Sequence, residues 1–135
     1  MLFRSLKDAD LARADLSGAI LSGATLQGSI LIDTDFVGAN LSQTNLTGAV
    51  IDGANLAKSN LTGSSAKPED IETAWSLSGA ELDRSVQEAL ERSKPTLFAY
   101  PDPRLRQPKR SDTDIVVIML DRAMRAMRAV GALLR

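Results

Sequence analysis

The sequence predicts a mainly β solenoid followed by an α-helical C-terminal region. Three observations carry that expectation. Large apolar residues recur every five positions from Leu6 to Leu61, the period stops after Gly63-Ser64-Ser65, and the remainder carries helix-start signals and an amphipathic tail. At 135 residues, a single domain with an appendage is expected.

The large positions are Leu6, Leu11, Leu16, Leu21, Leu26, Leu31, Phe36, Leu41, Leu46, Ile51, Leu56 and Leu61. Two residues before nearly every one stands Ala, Ser or Thr, as at Ala14, Ser29 and Thr34. Gly often stands two residues after, as at Gly18 and Gly53, and Asp or Asn often stands immediately before. A period of five matches neither the 3.6 of a helix nor the 2 of a strand. It suits a chain that turns a corner after every unit, with the large and small residues pointing inward. Gly, Asn and Asp relieve the corner backbone. Such units bury little alone and must stack.

Units such as Ala14-Asp15-Leu16-Ser17-Gly18 and Ala39-Asn40-Leu41 resemble the pentapeptide-repeat family, over residues 4–65. That resemblance implies a right-handed quadrilateral β-helix with four units per coil, hence about three coils. Residues twenty apart then lie above one another, giving inner columns such as Leu6/Leu26/Leu46 and Leu16/Phe36/Leu56. The expected organisation is a repeat domain over residues 1–66, a helical cap over 67–100, a Pro/Arg-rich linker over 101–112 and a basic amphipathic helix over 113–135.

Most outward residues are small and polar, with two exceptions. Ile30 and Val50 share a column, with Ile32 close by and Ile20 and Val37 on neighbouring positions. Grouped outward apolar residues mark a docking surface, covered either by the chain's own C-terminal segment or by another protein. Asp15 and Asp35 stack in a second column below Asn55. That column is either an acidic stripe or the repeat's ordinary Asp/Asn position. The edge of the first coil offers unpaired backbone groups, to be covered by residues 1–4 or by another chain.

In the second half, Pro68 suits a first helical position, with Glu69, Asp70 and Glu72 in an acid-favouring turn. Ile71, Ala74 and Trp75 are expected on one helix face as a plug for the last coil. Ser78-Gly79-Ala80-Glu81 matches a capping box and predicts a helix carrying Leu82, Val86, Ala89 and Leu90 inward. Pro101, Pro103 and Pro108 predict an irregular linker. Ser111 to Asp114 offer caps for a final helix, with arginines on one arc and Met119, Ala123, Met127 and Val130 on the other. Residues 67–103 hold eight acids and four bases, and residues 104–135 eight bases and three acids. That tail helix suits its own acidic middle, its copy in a second chain, a partner's groove or an anionic membrane surface.

The composition bears on function mainly by exclusion. Cys and His are both absent, removing disulfides, thiolate chemistry and the usual base at neutral pH. The balance of 16 bases and 17 acids opposes a uniformly basic nucleic-acid binder, and no aromatics interleave with Arg104, Arg106, Lys109 and Arg110. No catalytic dyad, phosphate loop or metal-ligand cluster is visible, so no cofactor is expected. The longest apolar run, residues 115–120, is too short to span a membrane. The expected role is therefore a non-enzymatic, cytoplasmic interaction or scaffold module. Its proposed contacts are Ile30, Ile32 and Val50 on the solenoid and Arg122, Met124, Arg125, Met127 and Arg128 on the tail. The resemblance supplies a second reading, a DNA-mimicking inhibitor or protector of DNA gyrase, against which stand the short rod and its six carboxylates. A peripheral membrane adaptor is the third.

Overall fold

The five-residue unit is, structurally, a closed turn. In the computed structural model, which describes residues 5–99 and 107–133, the small residue's N–H donates to the carbonyl of the large residue three positions earlier. Ala9 to Leu6 (3.1 Å), Ala14 to Leu11 (3.0 Å) and Ala39 to Phe36 (2.9 Å) are examples. The residue between them at the corner has a positive φ, +67° at Gly18 and +72° at Gly53, which is why Gly recurs there. The preceding Asp or Asn locks the same corner. The Asp15, Asp35 and Asn55 side-chain oxygens accept from the N–H groups of Ser17, Val37 and Ala57 at 3.0, 3.0 and 3.2 Å. The Asp15/Asp35 column is therefore a turn-forming device of the repeat.

Between corners the chain pairs with itself twenty residues on. Parallel bridges join Ser5 to Thr25, Asp10 to Ile30, Asp15 to Asp35 and Ile20 to Asn40, and the next coil repeats the register. Among the described residues these pairings are single-residue bridges and not continuous strands. The turn consumes most of each unit and leaves one paired position per side. Stacking nevertheless buries the large residues of the second and third coils, with Leu26, Leu31, Phe36, Ile51 and Leu56 at most 1% exposed, while Leu6, Leu11 and Leu16 of the first coil are partly buried. Buried hydroxyls at the small positions find carbonyls, Ser29 that of Leu26 and Thr44 that of Leu41 within their own turns, both at 2.7 Å, and Thr34 that of Leu11 in the coil below at 2.8 Å.

The stacking does not stop at residue 66. Asn55 bridges Ser76 and Asn60 bridges Glu81, a register of twenty-one. One added residue is absorbed around helix α1 (Pro68–Ile71), with Pro68 in its first turn. After it, Leu77-Ser78-Gly79-Ala80 rebuilds the corner: Ala80 N–H donates to the Leu77 carbonyl at 3.0 Å and Gly79 has φ +68°. The capping box expected over Ser78–Glu81 is therefore a repeat-like turn instead. Trp75 follows the helix at a bend and is only half-buried, so Ile71, Ala74 and Leu77 fill the end of the stack in its place.

Helix α2 (Arg84–Ser93) begins after Asp83 and lays Leu90, with Val86 and the preceding Leu82, on that end. A 3-10 turn (Pro95–Phe98) returns Leu97 to the core, and its carbonyl accepts from Leu77 N–H at 2.7 Å. Helix α3 (Asp112–Leu133) closes the described chain. Residues 1–4, the 101–106 part of the linker, and Leu134 and Arg135 lie outside the described residues.

Candidate interaction surface on the C-terminal helix

The outward apolar column is covered by the chain itself. Ile32 and Val50 are buried with Ile115 of α3, and Ala12, Ile30, Ile118 and Met119 pack around them. Reading Ile30, Ile32 and Val50 as a free face for a partner is thereby corrected, because α3 occupies it. Ile20 and Val37, expected nearby, lie outside this cluster.

Polar contacts fix the helix in place. The 107–110 arm, part of the expected irregular linker, is docked on two stacked corners. Gln107 donates to the Gly53 carbonyl at 2.6 Å, and the Arg110 guanidinium and backbone N–H each donate to the Asp33 carboxylate at 2.5 Å. Asp33 is fully buried and has φ +56° at a position where other units carry Gly. Its neighbour Gly53 is equally constrained. A Cβ there would lie 2.2 Å from Asp33 Oδ1 and 2.5 Å from Arg110 Nη1. Beyond the arm, Arg13 of the first coil pairs with Asp112, and Asp52 of the third coil pairs with Arg122.

Those two pairs show that α3 climbs the stack from its first coil to its third. Eleven residues of α3 remain after Arg122, about 16 Å of helix at ~1.5 Å per residue, against ~5 Å for the one coil still above. The helix therefore outruns its support. Among the described positions after Arg122, only Gly131 is even half-buried. The helix start is capped by Ser111, whose N–H and hydroxyl donate to Asp114 at 3.2 and 2.7 Å. The hydroxyl bond, and then the backbone one, hold the Asp114 carboxyl below its ordinary value.

The predicted tail residues thus divide. Arg122 is a half-buried latch on Asp52, and Arg125 pairs with Asp121 along the helix at 2.6 Å. Met124, Met127 and Arg128 are exposed. The sequence reading missed Arg13, Asp33, Asp52 and Arg110. The visible signal was an Asp in a Gly slot immediately after the outward Ile32. It also missed Val116, Val117 and Leu120, which are exposed with Met124, Met127 and Val130. Among the described residues no group of acidic side chains is arranged to hold a metal ion, and no helix is long and apolar enough to cross a membrane.

Comparison with known proteins agrees with the repeat. The family model for pentapeptide repeats matches in eight copies over residues 5–43 and 29–65. Residues 5–65, a little under half of the chain, thus match the pentapeptide-repeat family. Among solved structures, a pentapeptide repeat protein from the cyanobacterium Cyanothece 51142 is 36% identical, with 59% of this chain and 57% of that one covered and a TM-score of 0.33. A trypsin-treated variant of QnrB1, a plasmid-mediated fluoroquinolone resistance protein, is 22% identical over 67% and 45%, with a TM-score of 0.34. A pentapeptide repeat protein from the Arabidopsis thaliana thylakoid lumen is 18% identical over 85% of each chain, with a TM-score of 0.23. The chain spans about half the length of the first two. No curated protein matches it.

Proposed function

We propose that this chain is a non-enzymatic protein–protein interaction module, in which a right-handed quadrilateral β-helix serves as the rigid mount and α3 as the docking element. Four turns per twenty-residue coil, the parallel register and the match of residues 5–65 to pentapeptide repeats support that form for the mount. One observation carries the functional reading: α3 is pinned to the stack by Asp33, Asp52 and Ile115, yet presents an apolar face to solvent from Val116 to Val130. A helix needed only to cover Ile30, Ile32 and Val50 would end near Arg122. An apolar face held rigidly outward loses little freedom when it docks, which favours binding.

The DNA-mimic alternative loses support on the same face. Asp33 and Asp52, two of the repeat's six carboxylates, are neutralised by Arg110 and Arg122. Purified full-length protein bearing Leu120→Asp and Met127→Asp tests the interaction reading against wild type. A partner first identified by co-purification and then re-bound in pure form is expected to lose at least ~10-fold in affinity. Unchanged binding of every such partner refutes the assignment of α3.

A further inference from the structure

We propose that the partner of α3 presents a basic amphipathic helix, seated across a cleft between α1 and α3; this names the partner's chemistry and rests on the interaction reading. The cleft holds about 490 Å³ and is bounded by α3 on one side and by Glu69, Glu72 and Thr73 on the other. Asp52 of the third coil forms its floor and ties the two walls together. Its carboxylate accepts from the Thr73 hydroxyl at 3.4 Å and pairs with Arg122 of α3. The Thr73 carbonyl in turn accepts from Gly53 N–H at 2.8 Å, so the far wall is stacked on the same corner. A cleft braced in this way keeps its shape before a ligand arrives, and binding then costs little ordering.

Charge and apolarity together select the occupant. Four carboxylates, those of Asp52, Glu69, Glu72 and Asp121, line the cleft with two guanidiniums. Arg122 is committed to Asp52 and Arg125 to Asp121. Glu69 and Glu72 are exposed and have no hydrogen-bond or ion-pair partner among the described residues. The cleft therefore offers a ligand two unpaired negative charges, which repel an anion and attract a cationic side chain. The opposite wall is apolar: Val117 and Ile118 line it, and Val117 is 59% exposed. Leu120 and Met124, three and seven positions further on, carry that surface outward along the same helix face and are 57% and 50% exposed. A small cation would leave this wall wet. A lysine or arginine on the edge of an apolar helix suits both walls. Its methylene stem lies along Val117, its charge reaches Glu69 and Glu72, and the apolar side of its helix covers Leu120 and Met124.

The probe is a labelled synthetic helix with leucine along one face and lysine along the other, together with a leucine–glutamate counterpart. Each is added to full-length protein and followed by fluorescence anisotropy. The lysine peptide should bind saturably in the micromolar range. Glu69→Gln with Glu72→Gln should weaken it at least ~10-fold, and Val117→Ser at least ~5-fold, with unchanged far-UV spectra because all three residues are exposed. Glu88→Gln with Glu91→Gln removes the same charge from α2 and should leave the affinity as it is. No saturable binding of the lysine peptide, equal binding of the glutamate peptide, or equal loss in the cleft and α2 variants overturns the proposal. A co-purified partner that loses affinity on Leu120→Asp with Met127→Asp, but not on Glu69→Gln with Glu72→Gln, leaves the interaction reading standing while this one falls.

Discussion

Asp33 concentrates the problem of this molecule in one residue. A non-glycine residue at φ +56° costs about 1 kcal/mol, and a buried carboxylate needs partners. Arg110 supplies both its guanidinium and its N–H. Lys58 sits at a similar φ of +57° with a largely exposed side chain. Asp33→Gly should therefore lower unfolding free energy by about 2 kcal/mol and open Arg110 to trypsin. Lys58→Gly should raise it by about 1 kcal/mol. Urea denaturation separates the two, and equal effects would show that the latch contributes nothing.

A second residue-scale prediction concerns Asp114. Its carboxyl is held below 3.8 by Ser111, so the unfolded chain binds the proton first as pH falls. The cap's stabilising contribution is thus complete above pH 3.8 and is lost as pH drops through the lowered native value. Helicity measured between pH 2 and 5 should show this loss in wild type, and Asp114→Asn should flatten it.

At the scale of elements, α2 and the 3-10 turn act as the lid of the stack. Leu90 is fully buried and Leu97 is 9% exposed, both against the last coil. Leu90→Ala should cost about 3 kcal/mol, because a one-helix lid cannot close a void above a rigid end. Thermal melts check this; a loss below 1 kcal/mol would mean that the lid is dispensable. The lid was partly legible beforehand, since Leu82, Val86 and Leu90 share one helical face. The fourth coil was not. Leu77-Ser78-Gly79-Ala80 has the large, corner and small residues of a unit, but the added residue around α1 shifts it off the twenty-residue register. A search for a strict period therefore passes over it, and Ser78 with Glu81 reads as a cap.

For the whole molecule, the stack was legible because every unit repeats one local solution and each inner column reinforces it. The position of α3 was not, because it depends on pairs separated by 70 to 99 residues: Asp52 with Arg122, Asp33 with Arg110, Arg13 with Asp112. Amphipathicity marks such a helix as wanting a surface without saying which one. The outward Ile30, Ile32 and Val50 and the Asp in a Gly slot were the two halves of that answer. Deleting residues 107–135 should leave the coils folded and expose the Ile32–Val50 patch. Increased binding of a hydrophobic dye with unchanged backbone circular dichroism is expected, and loss of the coil signal would show that the strap is needed for folding.

The long separation within those pairs also orders events during synthesis. At ~5–20 residues per second on the ribosome, the 70 residues between Asp52 and Arg122 take about 4–14 s to make. Throughout that interval the coils can close while their apolar side stands bare. A nascent chain halted there would display Ile32 and Val50 to chaperones and to neighbouring polysome products. The stretch translated after the coils is thus also the one that makes them safe in a crowded cell.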